Sequence, residues 1–368
     1  KEYFILNTNN SYKFGIQMII FILQIFLSIY LMWKVSSSFD LAANYLTRNL
    51  GEGIKGPTVN AIASSLPELM ISSLFLFFYK DIDGFSAGYA TIIGSSAFNI
   101  AVIPVLAYIF SYKQNKIKSF VIDQKIVKQD GFFLLFSIVL LGLGFFIGLN
   151  IFYALLLIIT YLFYIIFIYK KRNKNPGKKT EIEVFRDKFK NGKNYNYIKS
   201  IFNLRIYNIL KSKTINSYNS VVVIIISVII ISLACYNLVY VVEKMSEMLG
   251  VNLFISAFFI AAISSSIPDT ILSLKDAEHK KFNDSFSNTY GSNIFDICIG
   301  IGLPVLLYTI FYPPISVDVN IDTLGLYNLG DYFMGGNLML WSVFILFIFT
   351  LLITLVYSSG KISNKNIP

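Results

Sequence analysis

Long apolar stretches separated by short polar segments form the main pattern of this chain. Residues 131–169 contain no Asp, Glu, Lys or Arg, and these 39 residues are enough for two helical crossings of a bilayer, with Gly148-Leu149-Asn150 as the turn between them. A soluble domain has no use for an apolar run of this length. The same pattern predicts nine membrane-spanning helices, at about 15–39, 54–79, 84–111, 131–149, 151–169, 220–242, 252–274, 284–311 and 336–357.

Composition agrees with an all-α integral membrane protein. The chain is 55% hydrophobic and 14% charged, with a mean hydropathy of +0.63. Cys235 and Cys298 both lie inside predicted spans, so we interpret them as small apolar side chains rather than as a disulfide or a metal pair. The single histidine, His279, excludes a site built from several histidines, and we expect it in a solvated loop.

The distribution of positive charge predicts the orientation of the spans. Segment 170–213 carries fourteen Lys and Arg residues against three acidic ones, which is typical of a cytoplasmic loop. Loops 112–130 and 275–283 fall on the same side, whereas 312–335, with three Asp and no Lys or Arg, falls outside. This alternation puts the N-terminus outside. The net charge of +10 is therefore interpreted as a topology signal and not as a nucleic-acid-binding surface.

The two halves of the chain repeat an unusual motif. Residues 60–68 read Asn-Ala-Ile-Ala-Ser-Ser-Leu-Pro-Glu, and 261–269 read Ala-Ala-Ile-Ser-Ser-Ser-Ile-Pro-Asp. Each is followed by a second echo, Gly-Ser-Ser-Ala-Phe-Asn at 94–99 and Gly-Ser-Asn-Ile-Phe-Asp at 291–296. Because five spans precede the basic loop, the repeats are inverted in the membrane and bring spans two and three against seven and eight. Duplicated, proline-interrupted apolar segments of this kind indicate the binding site of a transporter.

The repeated motifs supply oxygen atoms inside the membrane. Pro67 and Pro268 must each break or kink a helix and free a backbone carbonyl one turn earlier. Glu68 and Asp269 follow the prolines, and an ionised group at the bilayer centre costs at least ~2.5 kcal/mol, so we expect both acids to be functional. Hydroxyl, amide and carboxyl groups on the same short segments belong to Ser64, Ser65, Ser95, Asn99, Ser265, Ser266, Ser292 and Asp296. Such hard oxygen ligands suit Na⁺, Ca²⁺ or K⁺ and do not suit zinc or copper.

Each feature alone also has a structural explanation. A membrane proline can be only a kink, paired serines often bond to their own helix, and Gly94 and Gly291 can serve close helix packing. The occurrence of the whole set twice, in register, favours a functional site. Two other classes stay open at this point. An intramembrane aspartyl protease also needs two acids in spans, although its Asp usually follows a Gly-x-Gly pattern, and a passive cation channel could use the same oxygens without a counter-ion gradient.

The motifs resemble the two repeats of the cation/Ca²⁺ exchanger superfamily. Within it they are most similar to the sodium/calcium exchangers, above all to the potassium-dependent branch, whose second repeat also reads Gly-Ser-Asn-Ile-Phe-Asp. The resemblance covers about 54–108 and 252–307. It implies an inverted-repeat fold of ten helices and exchange of Na⁺ for Ca²⁺ by alternating access, in which the first and sixth helices slide past the core. A Ca²⁺/H⁺ or other cation antiporter is the alternative, although the Gly-Asn-Ala-type motif of the proton-coupled branch is absent.

The resemblance also implies a role for individual residues. Glu68 and Asp269 would be the carboxylates shared by Ca²⁺ and Na⁺. Further ligands would be the hydroxyls or carbonyls of Ser64, Ser65, Ser265 and Ser266, the carbonyls of Ala61 and Ala262, and, at the sodium and potassium sites, Ser95, Asn99, Ser292 and Asp296. The ions are transported substrates, so neither a catalytic residue nor a resident cofactor is expected. K⁺ co-transport depends on Asp296, whose equivalent in the first half is the uncharged Asn99.

The predicted organisation has three parts. Residues 1–170 form the first transmembrane half, 171–219 a basic cytoplasmic loop, and 220–368 the second transmembrane half. Inverted symmetry requires five spans in each half, and the second half has four. We therefore expect the chain to be a fragment whose full-length protein continues with a tenth span. The expected location is the plasma or inner membrane, with a monomer surrounded by lipid and no nucleic-acid partner.

Overall fold

The computed structural model describes residues 2–48, 54, 56–115, 119–172, 197–210, 215–278, 280–315, 335–358 and 361–363. Its α-helices are α1 Glu2–Leu46, α2 Ala61–Ser64, α3 Leu66–Tyr79, α4 Ile82–Ala101, α5 Ile103–Asn115, α6 Gln124–Ile147, α7 Ile151–Arg172, α8 Tyr197–Phe202, α9 Ile206–Ile209, α10 Ser217–Leu249, α11 Leu253–Ser256, α12 Ala262–Ser265, α13 Ile267–Glu278, α14 Phe282–Cys298, α15 Gly302–Phe311 and α16 Gly335–Tyr357. Two short strands, β1 Ser119–Val121 and β2 Lys361–Ser363, pair antiparallel.

The helices account for the predicted spans. Within the described residues, eight helical stretches are long and apolar enough to cross a membrane, and a ninth is obtained when one bent pair is counted as a single span. This confirms the helical membrane class and the prediction of nine spans. The sequence did not predict the strand pair, which joins the segment after α5 to the segment after α16.

The second span is broken where the sequence predicted it. α2, with the π-helical turn Gly56–Asn60 before it, meets α3 at an angle of 48° around Ser65. Because Pro67 lacks an N–H group, α3 begins as a new helix inside the bundle. The equivalent segment of the second half also has a π-helical turn, Ala257–Ala261, but continues to Glu278 as one span. These paired π-helical turns are a local feature that the sequence did not indicate, and such turns occur often at functional sites.

Two glycines let each repeat pack closely against the other. A Cβ atom at Gly94 on α4 would collide with the carbonyl oxygen of Phe258 and lie 2.7 Å from the Cβ of Ala262. A Cβ atom at Gly291 on α14 would lie 2.5 Å from the Cα of Pro57. Each of these helices therefore packs directly against the π-helical turn of the opposite repeat. The close approach that the sequence predicted for Gly94 and Gly291 is confirmed.

α1 and α10 pack against each other along their length, beside the two repeats. Asn237 on α10 donates from its amide to the Ser28 hydroxyl at 2.8 Å and to the Gln24 carbonyl at 3.3 Å. The Cys235 thiol lies 3.7 Å from the Pro67 carbonyl oxygen. Both cysteines are buried and unbonded to each other, in agreement with their interpretation as small apolar residues.

Contacts between connecting segments assign them to the two ends of the bundle. At one end, which we call the basic end, β1 pairs with β2, and the Asp123 amide donates to the Asn283 side chain at 3.0 Å. At the opposite end, Leu149 bridges to Ile315 and the Tyr308 hydroxyl donates to the Lys80 carbonyl at 2.8 Å. These contacts agree with the predicted alternation of loops. The assignment of the basic end to the cytoplasm stays a prediction from charge.

Several predicted features lie in the connecting segments. α7 continues to Arg172 and α10 begins at Ser217, so the described part of the predicted basic loop contains α8 and α9. This part contacts α1, because the Ser38 hydroxyl donates to the Leu204 carbonyl at 2.9 Å. His279 and most of 312–335 lie outside the described residues. The division into three domains stays a prediction.

A buried ion pair joins three helices at the basic end. The Arg172 guanidinium lies 2.7 Å from an Asp130 carboxylate oxygen, and the side chains are 8% and 0% exposed. Ser287 on α14 donates to the same carboxylate at 2.9 Å, and Tyr164 donates at 3.3 Å. The pair thus joins α6 to α7, and the bond from Ser287 adds α14. Removing either charged partner would leave a buried charge uncompensated. The sequence analysis did not identify it, because both charges lie at the edges of an uncharged stretch.

Because the repeats approach closely at two glycines, replacing either glycine with alanine should lower the stability of the protein. Gly94→Ala and Gly291→Ala should each destabilise the protein by about 1–3 kcal/mol, because the opposing atoms are backbone or short side chains that cannot move aside. Gly142→Ala is the matched control, since its Cβ would lie 3.7 Å from the nearest atom, Val343 Cγ1. Thermal unfolding of the purified protein in detergent measures the difference. A Gly142→Ala loss as large as the other two would contradict the packing argument.

Candidate cation-binding site

Three carboxyl groups meet where the two repeats face each other. Glu68, Asp269 and Asp296 each contribute one oxygen atom, and these three atoms lie within 4.8 Å of one another. All three side chains are 0% exposed. Among the described residues no salt bridge joins them to a lysine or arginine. Three acids so close together in an apolar interior can remain ionised only if a cation joins them.

Helix starts inside the protein explain how two of the acids are held. Glu68 is the third residue of α3 and Asp269 the third residue of α13. The first turn of a helix presents unpaired backbone N–H groups and the positive end of its dipole, and both stabilise a carboxylate. The interruptions of the α-helix at Ser65 and Ser266 therefore create two helix starts inside the protein, each with an acid in its first turn.

A hydroxyl one helix away holds each of these two acids in the same manner. Ser95 on α4 donates to Glu68 Oε1 at 3.2 Å. Ser292 on α14 donates to Asp269 Oδ1 at 2.8 Å. Within each repeat, the helix that follows the acid-bearing helix thus positions the carboxylate with one serine. The pairing follows the sequence repeat, in which Ser95 and Ser292 occupy equivalent positions.

Other contacts cross from one repeat to the other. Asn99 donates from its amide to Asp269 Oδ2 at 2.9 Å, and the Ser95 and Ser266 hydroxyls lie 2.8 Å apart. Ser64 lies beside Asp269, and its counterpart Ser265 lies beside Glu68, in the same two-fold relation. The site is therefore shared, because each repeat supplies ligand atoms to the acid of the other.

Asp296 breaks the two-fold symmetry. Its counterpart Asn99 uses its amide to hold Asp269, whereas Asp296 cannot donate in this way when ionised. Ser65 interacts electrostatically with Asp296 without forming a hydrogen bond of normal geometry. The buried oxygen atoms of the site that lack a hydrogen-bond partner among the described residues are Ser65 Oγ, Glu68 Oε2, Asn99 Oδ1, Asp296 Oδ1 and Asp296 Oδ2. Buried oxygens in this condition fit a hard cation, which would satisfy them.

The two predicted backbone ligands are engaged within their own helices. The Ala61 carbonyl accepts from the Ser65 amide at 2.9 Å. The Ala262 carbonyl accepts from the Ser266 amide at 3.1 Å and from the Ser266 hydroxyl at 2.9 Å. The Ala61 carbonyl also lies 3.4 Å from the Ser64 hydroxyl, and the Ala262 carbonyl also accepts from the Ser265 hydroxyl at 3.1 Å. Each carbonyl would have to release such a contact to bind an ion, so their role as ion ligands stays a prediction. All twelve predicted site residues lie on the second and seventh spans or on α4 and α14, the helices that follow them.

One residue of the site was missed by the sequence analysis. Asn293 accepts a hydrogen bond from the Asn99 amide at 3.1 Å and donates to the Ser96 carbonyl at 3.0 Å. It occupies the position equivalent to Ser96, so the two counterparts meet between the repeats. Asn293 stands between Ser292 and Asp296 in the same motif, outside their four-residue spacing. An amide side chain inside an otherwise apolar membrane span was the sequence feature that could have identified Asn293.

Known proteins resemble this chain over one region in sequence and over nearly all of it in fold. Sodium/potassium/calcium exchanger 2 of Mus musculus is 37% identical over 92 residues, which are 24% of this chain and 14% of that protein. Sodium/potassium/calcium exchanger 1 of Gallus gallus is 34% identical over 96 residues, 26% of this chain and 14% of that protein. The matched region thus spans about one seventh of the length of these relatives.

Two solved structures share the fold. The H⁺/Ca²⁺ exchanger CAX aligns with a TM-score of 0.64 over 94% of this chain and 78% of its own, at 14% identity. The sodium-calcium exchanger NCX_Mj aligns with a TM-score of 0.56 over 94% of this chain and 93% of its own, at 20% identity. The model of the sodium/calcium exchanger protein family matches residues 18–170 and 219–365. Because these ranges cover both transmembrane halves, the chain belongs to the sodium/calcium exchanger protein family.

Proposed function

We propose that this protein is a secondary antiporter that exchanges Na⁺ for Ca²⁺ across a membrane through the site between its two repeats. The observation that carries the proposal is the cluster of Glu68, Asp269 and Asp296, whose oxygens lie within 4.8 Å of one another in a fully buried position. Two opposed carboxylates with a third beside them form a site of high negative charge, which favours a divalent cation.

The ligand set supports Ca²⁺ as one substrate. Ca²⁺ takes six to eight oxygen ligands from carboxylates, carbonyls and amides. Among the described residues, Glu68 Oε2, both Asp296 oxygens, the Asn99 amide oxygen and the Ser65 hydroxyl are hard oxygens without a hydrogen-bond partner. Asp269 adds two carboxylate oxygens, which also accept from Ser292 and Asn99. Once Ca²⁺ leaves, the same carboxylates repel one another unless other cations take its place. The site therefore favours exchange, in which the departure of one cation is coupled to the arrival of others.

Na⁺ is the proposed counter-ion and H⁺ the alternative. Hydroxyl and amide oxygens surround each acid, and this favours Na⁺. A Na⁺ site needs neutral oxygen ligands of this kind, whereas a proton can bind to a carboxylate without them. The relatives with 34–37% identity are named for sodium, potassium and calcium. Against a passive channel stands the burial of the acids, since an open pore would expose them to water on a continuous path.

K⁺ co-transport is the finer part of the proposal. If all three acids are ionised, the site carries three negative charges, and Ca²⁺ neutralises two of them. The remaining charge is costly in the membrane interior, so it needs either a bound K⁺ or a proton on Asp296. We favour K⁺ because both Asp296 oxygens lack a hydrogen-bond partner among the described residues. We further propose that the protein lies in the plasma or inner membrane with its basic end in the cytoplasm.

The first test is Ca²⁺ uptake driven by a sodium gradient. Wild-type protein in liposomes loaded with Na⁺ should accumulate ⁴⁵Ca²⁺ when diluted into Na⁺-free buffer. Glu68→Gln and Asp269→Asn should each abolish uptake, because each removes one of the two opposed charges while keeping the shape of the side chain. Glu247→Gln is the matched control, since that acid is exposed on α10 with 58% of its side chain accessible. Normal uptake in either site variant would refute the assignment, whereas uptake driven only by a proton gradient would support the H⁺ alternative.

A second test addresses K⁺. Wild-type uptake of ⁴⁵Ca²⁺ should require external K⁺, and choline should not replace it. Asp296→Asn should transport Ca²⁺ at a rate that no longer depends on K⁺, because the third charge has been removed and the position now matches Asn99. The measurement is the initial uptake rate as a function of K⁺ concentration. Equal wild-type rates with and without K⁺ would favour protonation of Asp296 and would contradict K⁺ co-transport.

A further inference from the structure

A narrow cavity lies between α1 and α13, on the side of the carboxylate site that faces the basic end. Ser64 and Pro268 line its inner part, beside Asp269, and Ser37 and Lys275 line it further out. Lys275 lies six residues after Asp269 on α13, which corresponds to ~9 Å along the helix axis. The cavity offers only about 10 Å³ to the centre of a water molecule, which is the room that a single water needs. A hydrated cation therefore cannot pass through it in this conformation.

Lys275 connects the two helices that form the walls of this cavity. Its ammonium donates to the Ser37 hydroxyl at 3.1 Å, so α13 of the second repeat is bonded to α1. Asp40, one turn after Ser37 on α1, lines the same cavity. α1 packs lengthwise on α10, outside the two repeats. Because α1 and α13 line opposite sides of the cavity, their separation would widen it. The hydrogen bond between Lys275 and Ser37 opposes that separation.

The Lys275 side chain also fills the cavity. In a cavity with room for one water, the ammonium group leaves no space for a cation that approaches the carboxylates from the basic end. The same group would leave the cavity if α1 moved away and the bond to Ser37 broke. The lysine can therefore both hold the cavity narrow and exclude cations while it is narrow.

We propose that Lys275 is a positioning residue that closes the passage between the basic end and the carboxylate site by bonding to Ser37 and standing in the cavity. A cation enters or leaves at this end only after the bond breaks and the ammonium moves aside. This inference rests on the proposed function for the identity of the cations, but the closure itself can be tested without transport.

Cysteine labelling provides that test. Ser36→Cys places a thiol on the wall of the cavity, and the two native cysteines are buried, so they give a low background. The full-length variant in liposomes is treated with a positively charged methanethiosulfonate reagent. Adding Lys275→Gln should accelerate labelling roughly tenfold, the population shift expected from losing one hydrogen bond to a charged group. Ser37→Ala, which removes the Ser37 hydroxyl and keeps the ammonium, should accelerate it to a smaller extent, and Lys275→Arg should restore slow labelling.

The matched control is Lys113→Gln, which removes an exposed lysine at the same end of the bundle and outside the cavity. It should leave the labelling rate unchanged. Equal rates with and without Lys275→Gln, or an equal acceleration by Lys113→Gln, would overturn the proposal. In active protein, Lys275→Gln should also lower the KM for Ca²⁺ presented at the basic end more than the KM at the opposite end. If wild-type protein showed no exchange, the proposed function would fail, while the labelling comparison would still decide the closure.

Discussion

The constraint on which this structure depends is the presence of three acids in the interior of a membrane protein. Glu68, Asp269 and Asp296 are fully buried, and no salt bridge to a lysine or arginine compensates them within the described chain. An uncompensated charge in this position costs several kcal/mol. The break before α3, the first turns of α3 and α13, and the serines that donate to both acids all reduce that cost. A cation of matching charge would remove what is left.

The architecture follows from sharing this site between two inverted repeats. Each repeat supplies one acid in a helix start, one serine that holds it, and contacts to the acid of the other repeat. Gly94 and Gly291 allow the helices α4 and α14 to approach the opposite π-helical turns closely enough for these contacts to form. α1 and α10 lie outside this arrangement and meet it at Cys235, Ser37 and Lys275. The helices that could move are thus distinct from those that hold the acids.

The sequence predicted the features that depend on local pattern. Apolar run lengths predicted the nine spans, the positive charges predicted which loops lie together, and the duplicated Pro-acid motifs indicated the acids that meet in space. The family resemblance added the arrangement of the helices, and the fold agrees with it. The absolute orientation, the ligand roles and the identity of the ions remain predictions, because a fold and a cluster of oxygens determine neither sidedness nor selectivity.

The features that the sequence did not predict depend on tertiary contacts. The two π-helical turns have no signature in residue type, since Gly-Pro-Thr-Val-Asn and Ala-Phe-Phe-Ile-Ala share nothing but their position. Asn293 bonds to Asn99 and Ser96 only because the repeats face each other. Asp130 and Arg172 form their ion pair although they are 42 residues apart in the sequence. The bond from Lys275 to Ser37 spans 238 residues. Each of these pairs joins helices whose relative placement no short-range pattern encodes.

The most direct test of the central claim is the position of a bound divalent cation. Crystals of the protein grown with Sr²⁺ in place of Ca²⁺ would give anomalous scattering that locates the ion without assumptions about ligands. The account predicts one strong peak between Glu68 and Asp269, at distances typical of oxygen coordination, and its loss in Glu68→Gln. A strong peak elsewhere in the transmembrane region, with none between these two acids, would contradict it.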